Sequence, residues 1–346
     1  MPENSVMRPR AVIFGCAGPV LENSERQFFR DSDPAGFILF ARNCQDPDQV
    51  RGLVTDMREC VGRGDAPVLI DQEGGRVQRL TPPHWRDAPA ANVFAAMAAG
   101  DPDAAIEAAR LNARLIAADL SDLGITVNCA PVLDIPGADA DPVIGDRAAG
   151  RTPGAATVLG DAVCQGLLAG GVLPVIKHVP GHGRASVDSH KQLPVVDASL
   201  SELQDVDFPP FRALKDMPWA MTAHVIYMAL DAERPASTSP RVIAEVIRGT
   251  LGFQGVLVSD DLGMQALSGS LGERAALVRA AGCDLALHCG GDMAEMEDVA
   301  ASTGPITNVT EDRLRAGEAR RTEAELGGWE RDAAVARLRE LLNGNG

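Results

Sequence analysis

The side chains of this chain best suited to chemistry lie in three short stretches. The densest is Lys177-His178-Val179-Pro180-Gly181-His182-Gly183-Arg184-Ala185-Ser186-Val187-Asp188-Ser189-His190, with three histidines, a lysine and an aspartate in fourteen residues. Three kinds of chemistry compete for it. A metal site would use His178 and His182, four apart as in a helical zinc motif. Pro180, Gly181 and Gly183 oppose a helix there, so the rings lose a common face and no metal is expected. A phosphate-cradling loop would use Gly181-His182-Gly183, but the third glycine of a dinucleotide fingerprint is missing and no helix follows directly. Acid–base chemistry would use Asp188 and His190, which an extended backbone puts on one side. A carboxylate beside an imidazole fixes its tautomer and raises its proton affinity. Taken alone, a structural Asp–His hydrogen bond accounts for the pair equally well.

The second stretch, Gly255-Val256-Leu257-Val258-Ser259-Asp260-Asp261-Leu262-Gly263-Met264, is an apolar strand ending in two carboxylates. Neighbouring strand residues point opposite ways, so only one of the two reaches a central site. A carboxylate placed there can attack a glycosidic carbon or stabilise a cationic transition state. The alternative is capping of a helix that starts at Leu262. The division expected is Asp260 for chemistry and Asp261 for the cap. The third stretch, Asp71-Gln72-Glu73-Gly74-Gly75-Arg76-Val77-Gln78-Arg79-Leu80, sets a strand-end acid before paired glycines and two arginines. It suits a sugar pocket, because carboxylates accept from vicinal hydroxyls and arginines donate. A salt-bridged tight turn is the competing reading.

Elements that could position these residues recur along the chain. Short apolar runs sit at Val12–Gly15, Gly36–Phe40, Pro67–Asp71, Ile125–Pro131, Leu173–His178, Trp219–Val225, Gly255–Ser259 and Asp284–His288. Each is too short for a helix and apolar throughout, as parallel strands buried on both faces are. Amphipathic segments lie between them, opened by Asp46-Pro47, Asp101-Pro102, Thr152-Pro153 and Ser239-Pro240, where a capping side chain precedes a proline. This alternation predicts a single (β/α)8 TIM-type barrel over residues 1–346, with a C-terminal helical segment at about 311–342. Asp71, Lys177, His178, His224 and Asp260 fall at or just past strand ends, on the rim where such barrels assemble active sites.

Bulk composition excludes several classes. A net charge of −16 opposes nucleic acid and anionic membranes, whose phosphates require a basic field. Hydrophobic residues, at 45% of the chain, supply a large core, but no run approaches the ~20 apolar residues of a membrane span. Seven cysteines with no CxxC pair suit buried thiols in a reducing compartment, so a cytoplasmic location is expected. The run Ala11–Leu21 follows Arg8 and Arg10 but holds Gly15, Gly18 and Pro19, and reads as a first strand rather than a signal peptide.

The three stretches together resemble family 3 of the glycoside hydrolases, and within it the NagZ-type β-N-acetylglucosaminidases. The likeness extends to Gly36–Asn43, Ala130-Pro131-Val132-Leu133-Asp134, Ile144-Gly145-Asp146-Arg147 and Ala223–Tyr227. The Asp188-Ser189-His190 ending marks the subgroup. In the wider family a glutamate from a second domain serves as acid/base; this chain is too short to carry that domain, which fits a histidine taking over. Carried across, the resemblance implies Asp260 as nucleophile, His190 as general acid/base and Asp188 polarising it. It implies sugar binding by Asp71, Arg79, Arg147, Lys177 and His178, with no metal and no cofactor. The implied activity is exo-acting, retaining hydrolysis of terminal β-linked GlcNAc from GlcNAc-1,6-anhydro-MurNAc fragments in peptidoglycan recycling. The implied partner is this small-molecule sugar substrate, bound by a monomer or weak oligomer. A β-N-acetylglucosaminide phosphorylase on the same fold is the alternative, since a histidine acid/base tolerates an anionic acceptor. Val179 where an aromatic is common, and Asp146 where glutamate usually precedes the arginine, bear on substrate preference.

Overall fold

A computed structural model describes residues 8–137, 141–322 and 329–344. Eight strands form a closed barrel: β1 (Arg10–Phe14), β2 (Pro34–Leu39), β3 (Val68–Ile70), β4 (Val127–Asn128), β5 (Leu173–Val179), β6 (Trp219–Thr222), β7 (Val256–Asp261) and β8 (Leu285–His288). Every neighbouring pair is parallel, and β8 pairs back onto β1 with Val12 opposite Ala286. This is the (β/α)8 TIM-type barrel that the spacing of apolar runs predicts.

Strand alternation splits the apolar side chains into two cores. Ala11, Ile13, Leu69, Val127, Val175, Trp219, Met221, Val256, Val258, Leu285 and Leu287 pack together inside the barrel. Their neighbours Val12, Phe14, Phe37, Leu39, Val68, Ile70, Ile176, Ala220, Leu257 and Ala286 pack outward against the helices. Both faces of each strand are therefore buried, which is why the runs are apolar without alternating in polarity. The helix starts follow their capping signals. Asp46 accepts from Gln49 N ahead of α1 (Pro47–Val61), Asp101 from Ala104 N ahead of α2 (Pro102–Asp122), and Thr152 from Ala155 N ahead of α3 (Pro153–Ala169). Ser239 Oγ accepts from Val242 N, but the segment it opens, Val242–Thr250, is wound as a π-helix.

The expected helical segment at 311–342 is two helices, α4 (Asn308–Thr322) and α5 (Arg331–Asn343); residues 323–328 between them lie outside the described residues. Leu314 of α4 packs against the barrel interior at the end opposite the strand C-termini. Ala334, Leu338 and Leu341 of α5 join a separate cluster with Ala105, Ala108 and Ala109 of α2. What ties α4 to the barrel is Asp284, which is buried at the start of β8. It accepts from Arg248 (2.7 Å), Arg313 (2.8 Å), Thr310 Oγ (2.9 Å) and Leu257 N (2.8 Å). Asp284→Ala leaves two guanidinium groups without their shared anion. It is expected to cost roughly 3–5 kcal/mol of unfolding free energy, read as a lower urea midpoint, with kcat of the folded fraction unchanged.

Candidate active site

The polar residues of the site occupy the next inward level above the apolar interior. On β3 the inward Leu69 is followed two residues later by Asp71, on β5 Val175 by Lys177, and on β7 Val258 by Asp260. Period-two alternation thus carries these three side chains into the barrel mouth. There they line a cavity of about 370 Å³, floored by Ile38, Met221 and Leu287 and walled by Arg79, Arg147, His178, Asp188 and His190. The eight residues given a catalytic or sugar-binding place from sequence meet in this one cavity, whereas His224, also expected at the rim, is buried behind it and hydrogen-bonded to Ser237 Oγ (2.6 Å) and Asp261 O (3.1 Å). Lys177 and His178 are consecutive yet both line it, and the peptide between them is cis.

One side of the cavity is an ionic network. Lys177 Nζ donates to Asp71 Oδ1 (2.9 Å) and pairs with Glu73 Oε1 (2.6 Å). Arg147 grips Glu73 with two bonds of 2.8 Å each, and Arg79 donates to Asp71 Oδ2 at 3.1 Å. Burial alone would neutralise these groups. For Asp71 and Glu73 that push is overcome by Lys177 and the arginines, and both carboxyls stay below their usual range. Lys177 is likewise penalised by burial and held above its ordinary value by Asp71 and Glu73. Asp71 keeps lone pairs free for hydroxyl donors.

Asp134 organises the other side. Fully buried, it accepts from His178 Nδ1 (2.7 Å), His178 N (3.1 Å) and His182 N (2.7 Å). Burial raises its carboxyl, but His178 and the other donors bring it down to about 2. With Nδ1 committed to Asp134, His178 turns Nε2 toward Asp260 Oδ2, 4.0 Å away. The other oxygen of Asp260 accepts from Asp261 N at 2.8 Å. Burial pushes Asp260 up and the adjacent His178 and His224 pull it lower still, so it is held as a carboxylate.

Two expectations are corrected. Asp261 caps no helix, because the next one starts only at Leu271. It borders the cavity, but its Oδ1 is occupied by Gly263 N (3.1 Å) and Cys289 N (2.9 Å), closing a turn onto β8. Asp188 and His190 are not on extended chain. They meet through a turn in which Asp188 Oδ1 accepts from both His190 N (2.9 Å) and His190 Nδ1 (2.8 Å). The short reach of an aspartate to the amide two residues on makes such a turn, and it brings the ring to the same oxygen. Among the described residues, His190 Nε2 has no hydrogen-bond partner.

Glu73, Asp134, His182 and Ser189 shape the site without having been assigned a place in it from sequence, and Arg76, one of the two arginines of the expected sugar pocket, serves it through a neighbouring loop. Asp134 carried a usable signal, an acid closing the apolar run after Cys129. Glu73 stands two beyond Asp71, on the same side of an extended chain. Arg76 holds the loop bearing Arg147, through Asp146 (2.6 Å) and Val143 O (2.6 Å). Asp146 thus works from the cavity rim, and Val179 belongs to the outer core.

Burial, with the charge of His178 beside it, brings the His182 imidazole down to about 4 from its ordinary 6.5. The unfolded chain therefore binds the extra proton between those values while the fold resists it, and this contribution to stability is lost as pH falls through that window. It amounts to about 3 kcal/mol. His182→Gln, which does not titrate, is expected to lack that slope in urea unfolding followed from neutral pH to about pH 4. Asp207, pushed up to about 6 mainly by burial, slopes the opposite way, so Asp207→Asn should steepen the acid loss.

The architecture and site can be set beside known proteins. Residues 16–320 match the glycosyl hydrolase family 3 N terminal domain. A beta-hexosaminidase of Alkalilimnicola ehrlichii is 41% identical over 282 residues, covering 80% of each chain. One of Methylococcus capsulatus is 36% identical over 331 residues, covering 94% of each. Among solved structures, NagZ from Neisseria gonorrhoeae in complex with N-trifluoroacetyl-D-glucosamine superposes with a TM-score of 0.86 at 32% identity, over 97% of this chain and 99% of that one. The chain belongs to glycosyl hydrolase family 3.

Proposed function

We propose that this protein is a retaining, exo-acting β-N-acetylglucosaminidase in which Asp260 is the nucleophile and His190, held by Asp188, the general acid/base. The enzyme is a glycoside hydrolase, a β-N-acetylhexosaminidase, as its family and its beta-hexosaminidase relatives have it. The observation that carries the finer reading is one cavity holding both an ionised inward carboxylate and an imidazole with a free Nε2.

In the first step Asp260 attacks the anomeric carbon as its bond to the leaving oxygen breaks, and His190 Nε2 gives that oxygen a proton. In the second, neutral His190 takes a proton from water, whose oxygen displaces Asp260 from the same carbon. Two inversions leave the configuration retained. The carboxylate of Asp188 keeps Nδ1 protonated, so the exchanged proton always resides on Nε2. Asp71, Lys177, Arg79, Arg147 and His178 bind the hydroxyls of the terminal sugar. Their mutual pairing presets the donors and acceptors, so binding need not reorganise them. The apolar floor of Ile38, Met221 and Leu287 limits the depth to a chain end, which suits an exo-acting enzyme.

The substrate we assign is the GlcNAc-1,6-anhydro-MurNAc fragment of peptidoglycan recycling, met in the cytoplasm, where the seven free cysteines would remain reduced. The whole chain is read as one catalytic domain requiring no metal or organic cofactor.

Asp260→Asn is expected to lower kcat on an aryl β-N-acetylglucosaminide by at least about a thousandfold while leaving binding intact. A slow fluorosugar substrate should leave a glycosyl adduct that peptide mass spectrometry locates on Asp260. An adduct elsewhere would sink the nucleophile assignment. Product analysis in phosphate and in a non-nucleophilic buffer is expected to give free GlcNAc in both; GlcNAc phosphate as the main product would replace hydrolysis with phosphorolysis.

A further inference from the structure

The loop after β5 is tied to the barrel residue by residue at its start. Tyr227 Oη donates to Gly181 O (2.9 Å), His182 N to Asp134 (2.7 Å) and Gly137 N to Gly183 O (2.9 Å). Arg184 Nε donates to Asp207 Oδ2 (2.7 Å), and Asp141 N to Ala185 O (2.9 Å). From Ser186 to Asp188 no further bond reaches the barrel among the described residues. The next two ties are both on Ser189. Its Oγ is hydrogen-bonded to His182 Nε2 at 3.1 Å, and its carbonyl accepts from Ala266 N at 3.2 Å, in the loop after β7.

Ser189 is also buried differently from its neighbour. It is 3% exposed, whereas the His190 side chain is 62% exposed. An imidazole that open is not held by packing, so its location depends on the backbone that carries it. That backbone is fixed at Ser189, and His182 refers the fixed point to Asp134, the same carboxylate that holds His178. Two hydrogen bonds therefore connect the wall of the sugar cavity to the turn bearing Asp188 and His190.

We propose that the Ser189–His182 hydrogen bond is the device that positions the Asp188–His190 pair for proton transfer, making Ser189 and His182 positioning residues of the reaction. This rests on the reading of His190 as acid/base. Neither side chain delivers a proton to substrate; each acts through the placement of His190 Nε2.

The test compares kcat/KM on two aryl β-N-acetylglucosaminides. The phenyl glycoside needs its leaving oxygen protonated, and the dinitrophenyl glycoside leaves unaided. Ser189→Ala and His182→Phe, which cut the same bond from opposite ends, are expected to lower the phenyl value on the order of tenfold or more while changing the dinitrophenyl value less than about threefold. The double variant should show a phenyl-to-dinitrophenyl ratio no lower than that of the worse single one, because one interaction is removed only once. Ser189→Thr, which keeps the hydroxyl, should restore most of the phenyl activity. Equal losses on both glycosides, or none, would overturn the proposal. His190→Ala run alongside separates the two readings. If it discriminates between leaving groups and Ser189→Ala does not, the positioning role alone fails. If His190→Ala itself does not discriminate, the acid/base assignment falls and the positioning role with it.

Discussion

Closure of an eight-stranded parallel barrel imposes one constraint from which the rest of this molecule follows. Each strand can send only alternate side chains inward, and the interior is filled to within one level of the strand ends. The apolar inward level of Leu69, Val175 and Val258 leaves the next inward positions to Asp71, Lys177 and Asp260. These are the first that water or a ligand can reach. Charged groups placed any lower would have to be desolvated inside packed hydrocarbon, so the chemistry gathers where the packing stops.

That position sets the electrostatics. Lys177 is almost completely buried and would lose its charge if unpaired, but it stands between Asp71 and Glu73. Arg147 and Arg79 complete the set. The pairing has two effects on any sugar that enters. It keeps every group in its charged form, and it fixes where each remaining donor or acceptor points. Asp260 differs in having, among the described residues, no cation hydrogen-bonded to its carboxylate. Its partners are an amide and, at 4.0 Å, the ring of His178, so one oxygen stays open to the cavity.

Asp134 gives the site mechanical unity. One carboxylate holds the ring of His178 and the backbone of His182, whose ring in turn reaches Ser189. The exposed turn bearing His190 is thereby referenced to a strand end. A rigid scaffold holding a loop at chosen points is how barrels combine fixed groups in a pocket with a side chain left open to solvent.

The sequence by itself determined the barrel, because eight apolar runs separated by proline-capped helical segments admit few other ways of burying both strand faces. The eight residues singled out from the sequence, Arg147 among them only through the family resemblance, all line the cavity. Alternation said that one of Asp260 and Asp261 points inward and the family resemblance picked Asp260; both border the cavity, with Asp261 Oδ1 taken up by Gly263 N and Cys289 N. What the tertiary structure decided was relational. Glu73 looked like part of a turn until Arg147, from a different βα loop, closed on it. Asp134 closes an apolar run and so was visible as a strand-end acid, but its link to His178 and His182 was not, since these lie 44 and 48 residues further along the chain. The Asp188–His190 contact was legible from spacing, but its geometry was not. An extended chain and a turn both bring residues two apart together, and here it is a turn, closed by Asp188 Oδ1 accepting from His190 N. Sequence spacing reports what one element can present, whereas the pairing of charges across elements depends on the barrel having closed.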